Sequence, residues 1–229
     1  MLQRLERAAR AAGRDPAAIR VVAVTKAVGA DVARELFDLG MDDLGESRAD
    51  ELERKAVHFE ANPSPRGRPR WHFVGHLQQN KARRVVRRAD WIHSVDSLKL
   101  LETLARLSRE EGRATRVFLQ VKLSNEPQKS GLAPEDLRGA LSRARELGLA
   151  VEGLMTLAPL EAGPALGAQR EGARAVFEGL SRLAQGLPRD AFRSGRPLLS
   201  MGMSDDFEEA IRAGADLVRV GGAFFGGLP

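Results

Sequence analysis

Eight short apolar runs, separated by longer amphipathic stretches, constrain the fold of this 229-residue chain more than any other feature. The runs are rich in β-branched residues and bounded by turn signals, which is typical of strands. They cover residues 19–26, 42–47, 71–77, 91–96, 116–123, 149–158, 196–203 and 217–226. Strands that alternate with helices form a parallel sheet, and a count of eight favours closure of that sheet into a barrel.

The fold prediction is therefore an α/β protein with a single (β/α)8 TIM barrel domain, residues 1–229, and an extra N-terminal helix over residues 2–12. No eighth long helix follows the last run. We expect the extra helix to provide the missing cover on that side of the barrel.

Composition excludes several classes of site. The chain has no Cys, which rules out disulfides, zinc–thiolate sites and thiol nucleophiles, and it has no Tyr. No run of about 18 apolar residues indicates a membrane span, and the charged start "MLQRLERAARAAGRD" is not typical of a secretory signal. We therefore expect a cytoplasmic protein without membrane partners. No cluster of His and carboxylates has metal-ligand spacing, so we expect no metal.

The formal net charge of +5 raises the possibility of a polyanion partner, and its densest run is "KARRVVRR" at residues 81–88. This run has two interpretations. It is either the exposed face of a helix with Val85 and Val86 pointing inward, or a nucleic-acid surface. Base stacking needs exposed rings, and no aromatic residue interrupts the run. The first interpretation is favoured, and no nucleic-acid partner is expected.

Function in such a barrel is built at the carboxyl ends of the strands. The residues at the predicted ends are mostly polar, small or cationic, unlike the strand interiors. They are Lys26, Glu46, Ser47, His76, Asp96, Met155, Thr156, the stretch 200–204, Arg219, Gly221 and Gly222.

The last two strands end in patterns suited to phosphate. The stretch "LLSMGMSDDFEEAI" places Ser200, Gly202 and Ser204 in a short turn before a helix, and "VRVGGAFF" supplies Gly221 and Gly222. Missing side chains let backbone N–H groups approach a ligand closely, and the loops after strands seven and eight of such barrels frequently bind phosphate. The alternative is that the glycines only permit tight turns and Ser204 only caps a helix.

Two cationic residues complete the candidate site. Lys26 ends the first apolar run, where an amine beside an apolar wall such as Val24 is easier to deprotonate and can form an imine with a carbonyl. It can equally be a solvent-facing strand terminus. Arg219 lies within an apolar strand, where a cation is costly to bury alone. It therefore faces a ligand, or pairs with a carboxylate such as Glu46 or Asp96.

At these residues the sequence resembles the pyridoxal phosphate homeostasis protein family, whose fold is similar to the barrel domain of bacterial alanine racemase. The resemblance covers nearly the whole chain. It is carried by the stretches "VAVTK", "LGES", "WHFVGHLQQNK", "IHSVDS", "GLMTLAP" and "LSMGMSDDFEEAIRAGADLVRVGGAFFG".

The resemblance implies a pyridoxal 5'-phosphate (PLP) cofactor held as a Schiff base on Lys26. It implies that Ser200, Gly221 and Gly222 hold the phosphate, with backbone amides around Met201 and Gly202 helping. It also implies that Arg219 faces the pyridine nitrogen and keeps it unprotonated. The predicted cofactor-binding residues are Lys26, Ser47, His76, Met155, Ser200, Met201, Gly202, Arg219, Gly221 and Gly222.

The sequence departs from the usual family pattern at two rim positions. Ser47 replaces an asparagine that usually follows Gly-Glu, and Gly222 replaces a threonine. The first change removes an amide and the second removes a hydroxyl, each of which could contact the cofactor, so both could loosen its binding.

The resemblance further implies a carrier or regulator of PLP and amino-acid pools that is not a catalyst. Two-base racemisation needs a second base, which in alanine racemase is a tyrosine from another domain, and this chain has no Tyr. We expect a monomer, with PLP-dependent apoenzymes as possible recipients. Two alternatives stay open: a low-activity PLP-dependent racemase or lyase, and a Schiff-base aldolase with His76 or Glu46 as proton shuttle.

Overall fold

The barrel is formed by eight parallel strands that pair in sequence order, with β8 closing onto β1. The structure is a computed structural model that describes residues 1–123, 130–159 and 166–225, the last range with side chains from residue 171 onward. The strands are β1 Arg20–Val24, β2 Asp43–Glu46, β3 Arg70–Phe73, β4 Trp91–Val95, β5 Arg116–Gln120, β6 Ala150–Met155, β7 Leu198–Ser200 and β8 Leu217–Val220. The predicted (β/α)8 fold is confirmed.

Helices connect these strands on the outside of the barrel. They are α1 Leu2–Ala11, α2 Ala30–Asp38, α3 Ala49–Ala61, α4 Ala82–Arg88, α5 Leu98–Glu110, α6 Leu137–Glu146, α7 Leu166–Gln185, α8 Phe207–Arg212 and α9 Gly222–Phe225. Short 3-10 turns cover Pro16–Ala18, Gln79–Lys81, Pro134–Asp136 and Arg189–Ala191. In the described part of the chain, no helix is both long and apolar enough to cross a membrane.

Most strands end earlier than the apolar runs predict. β1 stops at Val24 and β8 stops at Val220, and the residues from Gly222 to Phe225 form a short helix. Gly226, the last residue of the predicted eighth strand, lies outside the described residues. The apolar runs continue past the strands because the rim loops also pack inward, so hydrophobicity alone marks no strand end.

Two separate packed regions account for most buried apolar side chains. The larger lies between the sheet and the helices. The smaller fills the barrel interior and consists of Val22, Trp91, Phe118, Met155 and Leu217. The interior of a barrel of this type is packed with side chains and is not a channel.

The extra helix α1 covers the side of the barrel next to α8, as expected. Leu5 and Ala9 are buried there. At the edge of the contact, Arg4 pairs with Glu208 at 3.2 Å, and Arg14 donates to the carbonyl oxygen of Ala215 at 2.6 Å. The position of α1 supplies cover where only the four-residue α9 follows β8.

The arginine-rich run lies on α4, and its valines point inward. Val85 and Val86 are fully buried, which confirms the surface-helix interpretation of this segment. The arginines pair with acidic residues on neighbouring elements. The pairs are Arg83 with Glu110 and Glu111, Arg84 with Glu53, Arg87 with Glu111, and Arg88 with Glu60. These carboxylates offset much of the positive charge that a polyanion would need.

Candidate functional site

Lys26 lies at the carboxyl end of the barrel, two residues beyond the end of β1, and its side chain is exposed. Successive strand residues alternate between faces, so Lys26 shares the parity of Val22, which belongs to the interior cluster, and of Val24. Val24 is buried and lies against Gly221 at the end of β8. The apolar wall expected beside the amine is therefore present.

The turn that carries Lys26 is held from behind by a buried polar group that we call the Lys55 cluster, consisting of Thr25, Glu46 and Lys55. The side chains of Lys55 and Glu46 are both fully buried and form an ion pair. The Lys55 ammonium also donates to the carbonyl oxygen of Thr25 at 2.7 Å and to its Oγ1 at 3.2 Å. Thr25 Oγ1 donates to Glu46 at 2.9 Å. Lys55 thus fixes the residue immediately before Lys26.

Lys55 and Lys26 differ in exposure and in hydrogen bonding. Lys55 is enclosed and its ammonium has three acceptors, whereas Lys26 is exposed and has no hydrogen bond or ion pair within the described residues. Only Lys26 of these two presents a free amine to a carbonyl compound at the barrel mouth. The aldolase alternative loses Glu46 as a proton shuttle, because that carboxylate is buried beside Lys55.

Arg219 lies in the barrel interior just below the rim and is 4% exposed. One terminal nitrogen donates to Ser200 Oγ at 2.7 Å, and the other donates to the carbonyl oxygen of Thr156 at 3.0 Å. Within the described part of the chain it has no ion pair with a carboxylate, so the pairings considered with Glu46 and Asp96 are wrong. Burial lowers the pKa of Arg219 to about 10, and the more distant charge of Asp206 opposes that shift. The guanidinium is cationic at neutral pH.

Ser200 occupies a different position from the one expected. It is the last residue of β7 and is fully buried. Its hydroxyl lies between Arg219 and His93 Nδ1, each at 2.7 Å. With both contacts inside the barrel, the Ser200 hydroxyl does not face the rim. Its predicted role as a side-chain ligand of phosphate stays a prediction, which this position does not favour.

Ser204, four residues further on, has the surroundings expected of the phosphate-side serine. Its Oγ accepts a hydrogen bond from the backbone N–H of Ala223 at 3.3 Å. A Cβ atom built on Gly222 would lie 3.8 Å from the same oxygen. The rim around Gly222 is therefore open beside a serine hydroxyl, and it has room for the threonine that the resembling family carries there.

The glycines at this rim fulfil backbone requirements. Gly202 has φ of +91°, and a Cβ there would come within 2.6 Å of the Cβ of Ala210. At Gly221 a Cβ would lie 3.0 Å from the carbonyl oxygen of Val24. Gly202 therefore excludes a side chain and Gly221 leaves little room for one, so the chain between β7 and α8 and after β8 presents backbone at the rim.

The remaining predicted residues fall into two groups. Ser47 and His76 lie at the rim, where His76 is exposed and its Nδ1 lies 3.2 Å from Asp96. Met155 and Met201 are buried, Met155 in the interior cluster and Met201 in the outer core. Side-chain contacts of these two methionines with a ligand at the mouth stay predictions, although Met155 forms part of the floor below it.

Three polar residues of the interior were missed by sequence reasoning. His72 Nδ1 lies 2.9 Å from His93 Nε2, and His72 Nε2 lies 2.8 Å from Asp43 Oδ1. Both imidazoles are fully buried, His72 stacked on Trp91 and His93 on Phe118. The available signal was strand parity, since alternation places polar residues of β2, β3 and β4 on the inward face.

Two comparisons with known proteins match nearly the whole length of this chain. The family model for the N-terminal domain of alanine racemase matches residues 1–229. A pyridoxal phosphate homeostasis protein of Pseudomonas aeruginosa is 38% identical over 224 residues, which is 97% of this chain and 90% of the relative.

Two solved structures extend these comparisons. PipY of Synechococcus elongatus, solved without PLP, is 36% identical, with a TM-score of 0.82 over 96% of this chain and 99% of that one. The same protein with PLP bound has a TM-score of 0.77 over the same shares of both chains.

Proposed function

The chain belongs to the pyridoxal phosphate homeostasis protein family, and from that premise we propose that it binds PLP reversibly through a Schiff base on Lys26. In this proposal the protein is a non-catalytic carrier in intracellular vitamin B6 and amino-acid homeostasis. A relative with PLP bound supports the choice of cofactor.

The observation that carries the proposal is that one barrel mouth holds both an exposed amine and a buried cation. Lys26 is free at the rim, and Arg219 lies in the interior without a carboxylate partner among the described residues. A guanidinium has five N–H donors, and Arg219 uses two of its nitrogens in hydrogen bonds with described residues. Donors therefore remain for an acceptor above it, which a pyridine nitrogen can be.

The other parts of PLP find matching surroundings. The bare backbone at Gly221 and Gly222, with the Ser204 hydroxyl beside it, offers small neutral donors suited to a phosphate. Val24 provides an apolar wall at the end of β1. The residues present match the chemical groups of the cofactor.

The position of Arg219 supports a role in binding the cofactor and not in catalysis. PLP, when bound, supplies a ring that can withdraw electrons from an attached amine. A ring nitrogen that faces a guanidinium stays unprotonated, because a second positive charge beside the first is unfavourable. An unprotonated ring is a weaker electron sink, so Arg219 restrains proton abstraction from a bound amino acid.

Among the described residues, proton-transfer groups at the mouth are also few. The chain has no Tyr, and Glu46 is enclosed by the Lys55 cluster. His76, paired with Asp96 at 3.2 Å, is the rim imidazole that a racemase, lyase or aldolase mechanism would have to use. The carrier proposal therefore predicts little or no turnover of amino acids or sugar phosphates.

Reduction with borohydride tests the proposal directly. PLP-loaded protein should gain the mass of one phosphopyridoxyl group, and peptide mapping should place it on Lys26. The same preparation should show no racemisation or cleavage of amino acids above background. A modification on another lysine would overturn the binding proposal, and turnover abolished by His76→Ala would favour the enzyme alternative.

Substitution of Ser204 by Ala should weaken PLP binding about tenfold or more. A hydrogen bond to a charged group contributes ~1.5–3 kcal/mol, and about 1.4 kcal/mol corresponds to a tenfold change in affinity. Titration with PLP and with pyridoxal provides the measurement. The affinity for pyridoxal, which has no phosphate, should be the same in wild type and variant. Equal losses for the two compounds would contradict a phosphate role for Ser204.

A further inference from the structure

A continuous row of buried hydrogen bonds crosses the barrel interior from the carboxyl end to the amino end. We call it the interior chain, and its members are Arg219, Ser200, His93, His72 and Asp43. Successive contacts measure 2.7, 2.7, 2.9 and 2.8 Å. All five residues are buried. The chain lies beneath the proposed ring site, yet four of its five members have no part in the binding proposed above.

The direction of every hydrogen bond in the interior chain follows from its two ends. Asp43 is ionised, because hydrogen bonds from Arg70 and His72 lower its pKa although burial would raise it. A carboxylate only accepts, so His72 donates to it from Nε2. Burial lowers the pKa of His72, so this imidazole is neutral and its Nδ1 is an acceptor.

His93 and Ser200 continue the same hydrogen-bond direction toward the rim. His93 Nε2 must donate to His72 Nδ1, and burial keeps the pKa of His93 well below its usual value, so His93 Nδ1 accepts. Ser200 therefore donates its hydroxyl proton to His93. That leaves the Ser200 oxygen as an acceptor for Arg219. All donors in the interior chain point away from the rim and toward Asp43.

We propose that the interior chain positions Arg219. His93 accepts the Ser200 hydroxyl proton, so the Ser200 oxygen is always available to accept from the guanidinium, and the hydroxyl never donates toward the cofactor. This inference rests on the proposed function, because it concerns how Arg219 meets the PLP ring. Ser200, His93 and His72 are positioning residues that act through Arg219.

The aligned hydrogen bonds of the interior chain compensate the buried positive charge of Arg219. Arg219 is a buried cation without an adjacent carboxylate among the described residues, and such a charge is costly unless dipoles compensate it. The row of aligned donors ends on the negative charge of Asp43. Each group in the row presents its negative end toward Arg219, which stabilises the cation in place.

The surroundings of the interior chain limit what else could set its direction. His72 stacks on Trp91 and His93 stacks on Phe118, which provide no competing acceptor in the ring plane. At the amino end, Asp43 also accepts from Arg70 at 2.7 Å and has Arg20 at 3.7 Å. These two arginines keep the terminal carboxylate charged.

The test uses protein loaded with PLP that carries nitrogen-15 in its ring, and reads the chemical shift of that nitrogen. Wild type should show an unprotonated ring nitrogen. In His93→Leu, Ser200 loses its acceptor, Arg219 is held less firmly, and the signal should move toward that of a pyridinium. His93→Asn places a polar atom near the former Nδ1, so it should restore most of the wild-type signal.

Two further variants separate positioning from packing. Ser200→Ala removes the acceptor of Arg219 with a minimal change of volume and should shift the signal as His93→Leu does, even if His93→Leu fails to fold. Phe118→Leu loosens the same interior without touching a hydrogen bond, and its signal should match wild type.

The outcomes distinguish this inference from the proposed function. Trapping on Lys26 with an unshifted ring-nitrogen signal in both Ser200→Ala and His93→Leu would overturn the inference and leave the function standing. A pyridinium signal in wild type would also overturn it. Failure of borohydride to trap PLP on Lys26 in wild type would instead overturn the proposed function.

Discussion

Lys26→Ala should abolish the visible absorbance of the PLP-loaded protein and reduce the borohydride-trapped adduct to background. Lys26 is the exposed amine at the end of β1, whereas Lys55 is fully buried and already bound by three acceptors. Lys55 is therefore not free to replace it without unfolding the Lys55 cluster. Absorbance spectra and intact mass before and after reduction provide the measurement.

Two controls define what the loss means. Lys26→Arg keeps the positive charge but has no amine that forms a stable imine, so it should lose the adduct as Lys26→Ala does. Lys81→Ala removes an exposed lysine from the turn before α4 and should retain the adduct in full. Unchanged colour in Lys26→Ala, or an adduct that moves to another lysine at equal yield, would contradict the assignment.

The sequence was sufficient for the architecture, and it singled out the two cations of the proposed site. Eight runs in alternation with helices predicted the closed barrel, because the nearly continuous apolar character of each run reflects burial on both faces of a parallel sheet. Lys26 and Arg219 were found because a cation at the end of, or inside, an apolar run is conspicuous. Neither inference depended on knowing which strand end meets which.

The sequence could not distinguish the positions of the two serines after β7, for a geometric reason. Ser200 and Ser204 are four residues apart in one short segment, and β7 ends at Ser200. The apolar run continues beyond it, so the sequence does not show where the strand stops. The position of the strand end decides whether a hydroxyl points into the barrel toward His93 or lies at the rim beside Gly222.

The interior chain and the Lys55 cluster were missed because both depend on contacts between residues far apart in sequence. No sequence pattern connects His72 to His93, and Glu46 was predicted only as a residue at a strand end. Pairing of β2 with β3 brings Asp43 to His72, and the packing of α3 on β2 brings Lys55 to Glu46. No local pattern encodes either meeting.

The Lys55 cluster connects fold stability to the position of Lys26. Glu46 accepts hydrogen bonds from Lys55 and Thr25 and from the backbone N–H of Ser47 at 3.1 Å. It therefore joins the end of β1 to the end of β2 inside the structure. A buried ion pair adds little net stability by itself, but removal of one partner leaves an uncompensated charge in the interior.

Lys55→Met should lower the free energy of unfolding by about 3–5 kcal/mol, the cost typical of breaking a buried pair from one side. The methionine fills much of the space of the lysine stem, so the loss reflects the stranded Glu46 carboxylate and the unpaired Thr25 carbonyl. Urea unfolding followed by circular dichroism provides the measurement. Adduct formation at Lys26 should become slower or incomplete, because Thr25 is no longer held.

Two variants identify the stranded charge as the cause of this loss. Lys55→Met combined with Glu46→Gln should recover part of the stability, since a neutral amide leaves no buried charge. Its oxygen can accept from the Ser47 N–H, and its NH2 can donate to Thr25 Oγ1, which then donates to the Gly45 carbonyl oxygen. Lys99→Met, which replaces an exposed lysine on α5, should leave the unfolding curve nearly unchanged. If Lys55→Met unfolds at the wild-type urea concentration, the lysine is not the buried partner of Glu46, and the link between this cluster and Lys26 fails with it.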